Sequence, residues 1–100
     1  MYMSRDIMHC KPGKTKELVS RFKKLSAVLT KMGYSPMRIY TDVSGEHYWT
    51  VVIEQDISKI DDMAEMSRKT MTDPEVAKAM EGYHEYVVSG KREFYKREDA

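Results

Sequence analysis

Cysteine occurs once, as Cys10, so no disulfide can close within the chain, and a reducing compartment is expected. Long apolar runs are missing too. None approaches the roughly 18 residues that cross a bilayer. The first residues also lack an apolar signal region, which together predicts a soluble, cytoplasmic protein that makes no use of a membrane. Neither charge sign dominates. The 17 Lys+Arg stand against 16 Asp+Glu, a formal net charge of +1, which argues against a nucleic-acid partner. The three histidines show no helical or short-loop ligand spacing. His9 and Cys10 are strand neighbours whose side chains point to opposite faces, so no metal is expected. Phosphate loop, nucleophile elbow and Cys-x-x-Cys are absent as well, and no cofactor is expected.

What is present fits one domain, residues 1–100, of a size that folds but gains from dimerisation. A strand-like start runs into Lys11-Pro12-Gly13-Lys14 and a helix. Leu18, Phe22, Leu25, Leu29 and Met32 recur there at steps of four and three, one apolar stripe on a 3.6-residue period. Pro12 suits the helix start and Gly33 a left-handed stop. Lys14, Lys16, Arg21, Lys23, Lys24 and Lys31 belong to the outer, solvated faces.

Two strands follow, Met37 to Thr41 and His47 to Glu54. A three-residue loop, Val43-Ser44-Gly45, places Gly at the left-handed bulge position. It sets Tyr40 opposite Tyr48, Ile39 opposite Trp49 and Met37 opposite Val51. That register sends Met37, Ile39, Trp49, Val51 and Ile53 toward the helices, and Arg38, Tyr40, Tyr48, Thr50, Val52 and Glu54 to the other face. In the second helix Ile57, Ile60, Met63, Ala64, Ser67 and Met71 are expected inward, with Ser58 and Asp61 as a capping pair. Asp73-Pro74-Glu75 reads as a fresh helix start, with a stripe of Val76, Met80, Tyr83 or His84, and Val87. Ser89-Gly90 breaks that helix before a solvated edge strand, Arg92 to Lys96.

The strand-Pro-Gly-Lys entry to the first helix, the Asp73-Pro74-Glu75 start and the closing Gly90-Lys91-Arg92-Glu93-Phe94-Tyr95 strand together resemble the dimeric α+β barrel superfamily. The likeness is greatest to its NIPSNAP and antibiotic-biosynthesis-monooxygenase groups, and it spans nearly the whole chain in element order. It implies an α+β, ferredoxin-like β-α-β-β-α-β antiparallel sheet with helices on one face, whose bare face pairs with a second copy into a dimeric α+β barrel. Some members are cofactor-free or haem-degrading monooxygenases, an activity the resemblance would carry through an Asn, Trp and His arrangement. Here there is no Asn, Trp49 falls mid-strand on the helix-facing side, and His84 alone matches in type.

The open face carries the chemistry. If Met8 and Cys10 face the helices, His9, Ile7 and Arg5 join Arg38, Tyr40 and Tyr48 on the other side. The expected function is a homodimeric barrel that binds a small aromatic or polar organic molecule between this face and the second helix. Its lining residues are His9, Arg38, Tyr40, Tyr48, Thr50 and Glu54. The enzyme alternative is a cofactor-independent monooxygenase or isomerase acting on an aromatic or polyketide-like substrate, with His9 or His84 as base. A third reading is a purely structural dimer with a filled barrel.

Overall fold

In the computed structural model, which describes residues 1–98, the elements run β1 (Tyr2–Cys10), α1 (Thr15–Lys31), β2 (Arg38–Thr41), β3 (Thr50–Ile57), α2 (Ile60–Thr72), α3 (Pro74–Ala79), a 3-10 turn (Tyr83–Glu85) and β4 (Val87–Lys96). The four strands form one sheet in the order β2-β3-β1-β4, every pair antiparallel. This is the expected ferredoxin-like α+β fold. The helices share one face of the sheet because β3 alternates strictly: Val51, Ile53, Gln55 and Ile57 are buried, while Val52, Glu54 and Asp56 are only partly covered.

The core lies between α1 and the middle of the sheet. Leu18, Phe22, Leu25 and Leu29 pack with Cys10, Val51, Ile53 and Ala79, and Met32 packs against the cluster's margin. The α1 stripe is therefore the one its periodicity marks out. The helix ends in a full Schellman arrangement: Gly33 takes φ 95°, its N–H donates to the Thr30 carbonyl at 3.1 Å, and the Tyr34 N–H donates to the Leu29 carbonyl at 3.0 Å. Arg21 departs from its expected solvated role. Its Nε donates to the Glu81 carbonyl at 2.7 Å, Nη2 reaches the Tyr86 hydroxyl at 3.1 Å, and the guanidinium lies 4.6 Å from the Tyr86 ring centre. One cation thereby clamps α1 to the segment leading into β4.

The β2–β3 register differs from expectation. Tyr40 pairs with Val52, Ile39 with Ile53 and Thr41 with Val51, so residues 42–49 form a long loop and β3 extends to Ile57. This register brings Arg38 across from Glu54 and within reach of Asp56, a gain that the tight turn forgoes. The displacement is an even number of residues, so every paired side chain keeps its expected face. Trp49, however, leaves the strand, and Tyr48 no longer pairs with Tyr40.

Two further expectations fail in the second half. α2 has no fully buried residue; Met63 and Met66 are half-covered, whereas Ala64, Ser67 and Met71 face out and Ile57 belongs to β3. Its N-cap is Lys59, and no side chain caps it, so Ser58 and Asp61 do not form the capping pair. α3 does begin as read: the Asp73 carboxylate accepts from the Glu75 N–H at 2.8 Å and the Val76 N–H at 3.3 Å. It stops at Ala79, and Gly82 at φ 74° turns the chain. Val87 then starts β4 and is not a helix residue. Gly90 lies inside β4 opposite Met8, where a Cβ would come within 3.3 Å of the Ile7 carbonyl oxygen.

Candidate functional site

The sheet face opposite the helices is bare, and the strand pairings arrange it in rows. Arg38, Glu54, Arg5 and Glu93 cross the sheet in one row, and Tyr40, Val52, Ile7 and Lys91 in the next. Thr50, His9 and Ser89 form a third. α2 packs on the opposite side of the sheet, so within one chain no ligand can lie between the open face and the second helix. Any cover for this face comes from outside the chain.

The first row is an ion-pair ladder. Arg5 donates to Glu54 Oε2 from Nε at 3.0 Å and Nη2 at 2.9 Å, and its Cζ sits 5.3 Å from the Tyr95 ring centre. Arg38 lies 3.5 Å from Glu54 Oε1 and grips Asp56 through two bonds of 3.1 and 3.0 Å. The hydrogen bonds from Arg38 hold the Asp56 carboxyl below its usual range, and the Arg38 pKa rises in return. The Tyr95 hydroxyl is pushed up by its hydrogen bond to Glu93. Arg38 and Glu54 are thus occupied by one another's network, which weakens the case for either as a ligand contact. Asp56 escaped sequence reading because β3 was ended at Glu54; Tyr95 escaped because the β4 register has no local signal.

The third row holds His9. The Thr50 hydroxyl donates to the His47 carbonyl at 3.0 Å and lies 3.4 Å from His9 Nδ1. The His47 ring centre is 4.3 Å from that of His9. Thus His9, Arg38, Tyr40, Thr50 and Glu54 share the open face. Tyr48 does not: it is 87% exposed on the 42–49 loop. His84 sits in the 3-10 turn, edge-on to Tyr83 at 5.5 Å, away from the face. Cys10 is buried on the helix side, where burial first and the Asp42 charge second raise its thiol pKa, the opposite of a reactive thiolate. Among the described residues no cluster of three or more His, Cys, Asp or Glu is arranged to hold a metal, and no helix is long and apolar enough to cross a membrane.

A second concavity was not legible in the sequence. An open groove of about 750 Å³ runs between the first half of α1 and the 42–49 loop, lined by Thr15, Lys16, Val19, Lys23, Tyr48 and Trp49 among others. Trp49 has φ 57°, the one non-glycine residue with positive φ among those described, and is 42% exposed. A left-handed backbone costs a bulky residue about 1–2 kcal/mol. It is held there by flanking bonds: the Cys10 N–H donates to the Trp49 carbonyl at 2.8 Å, and the Thr50 N–H donates to the Asp42 carboxylate at 2.8 Å.

No family model and no curated protein sequence matches this chain. Solved structures do. An uncharacterised NIPSNAP domain protein from Burkholderia xenovorans superposes with a TM-score of 0.80 at 16% identity, covering 98% of this chain and 95% of the other. A NIPSNAP family protein from Agrobacterium tumefaciens gives 0.81 at 16% identity, covering 98% and 93%. A candidate antibiotic biosynthesis monooxygenase from Chloroflexus aurantiacus gives 0.75 at 12% identity, covering 99% and 94%. At these identities the likeness establishes the fold alone: the chain has the ferredoxin-like architecture of NIPSNAP-domain and antibiotic-biosynthesis-monooxygenase-like proteins.

Proposed function

We propose that the chain works as a homodimer through its open sheet face and holds a small, oxygen-bearing aromatic molecule between the two sheets. The observation that carries this reading is the strip Tyr40–Val52–Ile7, which crosses three strands on a face that the chain's own helices leave bare. Ion pairs border the strip on one side; His9 and Thr50 border it on the other. Apolar area in the middle with a few polar groups at one end is what a small-molecule site needs. Since Arg38 is already bidentate to Asp56, the polar end at His9 is the better anchor, and it suits a hydroxyl or carbonyl better than a carboxylate. The barrel that the family resemblance implies would supply the missing wall from a second copy.

The place of the His9 imidazole beside the apolar strip favours one further reading, a cofactor-independent monooxygenase or isomerase in which that ring takes a proton from the bound molecule. Sedimentation velocity combined with a thermal-shift screen of phenols and quinols tests the main proposal. A dimer at micromolar concentration, and a rise in melting temperature that His9→Ala diminishes, are the expected results. A monomer overturns the dimer. A dimer that no compound stabilises leaves the purely structural dimer with a filled barrel as the better account.

A further inference from the structure

We infer that the groove between α1 and the 42–49 loop is a separate binding site for a planar aromatic anion, stacked on Trp49 and charge-paired with the lysines of α1. The groove lies on the helix side of the sheet and shares no residue with the strip at Tyr40, Val52, Ile7 and His9, so this inference stands or falls apart from the proposal above.

Two features select the ligand class. The first is Trp49, whose left-handed backbone keeps a half-exposed indole at the groove wall when a relaxed strand residue could have turned it elsewhere. Backbone strain of this kind persists where surrounding bonds enforce it, and it concentrates at ligand sites. Tyr48 and Val19 extend the apolar wall, and the groove volume of about 750 Å³ admits a molecule of one or two rings.

The second feature is charge. Lys16, Lys23 and Lys24 line the groove, and among the described residues none of them has an ion-pair partner. Asp42 is the only acid in the lining, and its carboxylate is engaged by the Thr50 N–H. The groove is therefore cationic where a ligand would enter, and an acid group meets attraction there without displacing an existing salt bridge.

The sole Trp makes the test direct, because the indole N–H gives one resonance that belongs to this groove. Titration of the isotopically labelled protein with 2-naphthoate should move that resonance, and the neutral 2-naphthamide should bind about tenfold more weakly or worse, as loss of a charged hydrogen bond requires. Calorimetry on the Lys16→Gln/Lys23→Gln/Lys24→Gln variant should bring the two affinities together. Trp49→Phe should weaken both probes while circular dichroism remains native. An indole resonance that neither probe moves, or equal affinity for acid and amide in the parent protein, overturns the inference. So does a groove closed by a second copy, seen as an indole that stays silent in the dimer.

Discussion

Glu54 offers the sharpest test of whether the open face is wet or covered. Its carboxylate joins Arg5 at 2.9 Å and Arg38 at 3.5 Å, and its side chain is 16% exposed against 35% and 42% for the two arginines. In a single chain those arginines remain in water, where pairs of this kind contribute about 0.2–1 kcal/mol. Glu54→Gln keeps the shape, removes the charge, and should then cost less than about 1 kcal/mol. Under a second copy the balance changes. The Arg5 guanidinium would lose its counter-charge in dry surroundings while Arg38 keeps Asp56, and breaking a buried pair from one side costs about 3–5 kcal/mol. Urea melts of the parent and variant across a wide range of protein concentration separate the cases. The expected result is a small loss in dilute solution and a loss larger by about 2–4 kcal/mol where the dimer is populated. A double-mutant cycle with Arg5→Gln should assign most of the excess to the pair. A small loss that does not change with concentration would refute the covered face.

The remaining predictions concern the core, one turn, the strip and the acid limb. Phe22→Ala should cost about 3–5 kcal/mol in denaturant melts, because Phe22 lies in the α1 core stripe, whereas exposed Lys23→Ala should cost less than about 0.5 kcal/mol. Gly33→Ala meets open space but must adopt φ 95°, so a loss of about 1 kcal/mol from backbone strain alone is expected, and a neutral result would remove the Schellman stop from the account. Tyr40→Glu places an unpaired charge on the strip and should raise the dimer dissociation constant in sedimentation experiments; an unchanged constant would put Tyr40 outside the interface. The lowered Asp56 pKa means that its pairing with Arg38 stabilises the fold fully above the unfolded value near 3.8, and that this contribution is lost as pH falls through the lower folded value. Asp56→Asn should therefore flatten the acid limb of the stability profile without altering its slope near neutrality, as acid titrations followed by circular dichroism would reveal.

The fold was legible because its signals are local or periodic. The α1 stripe, Gly33 and Asp73-Pro74 each act within a turn or two of chain, and each is found where the sequence places it. The faces of the hairpin were legible for a deeper reason. Alternation in a strand has period two, so a register displaced by an even number of residues still sends Ile39 and Ile53 inward and Tyr40 and Val52 outward. The register itself was not legible, because Gly45 offers a good tight turn while the pairing that wins depends on Arg38 finding Glu54 and Asp56 across the sheet. α2 was misphased because its apolar residues spread over a broad arc, from Met66 and Met63 through Ile60 to Met71 and Ala64, so the pattern alone does not single out Met63 and Met66 as the covered side.

The same asymmetry explains the two candidate sites. His9, Arg38, Tyr40, Thr50 and Glu54 could be gathered from the sequence because parity alone puts them on one face. The roles within that face could not, since which cation is free depends on Asp56 and Tyr95, residues brought in by a longer β3 and by β4. The groove at Trp49 depends on the failed turn more directly still. A tight loop would have left Trp49 inside a strand and facing the core. The long loop frees it, at a backbone cost that the Asp42 and Cys10 hydrogen bonds must offset, and sets its indole beside lysines that a helical pattern alone assigns to solvent. One lost turn thus moves the chain's only tryptophan from packing to a surface where it can meet a ligand.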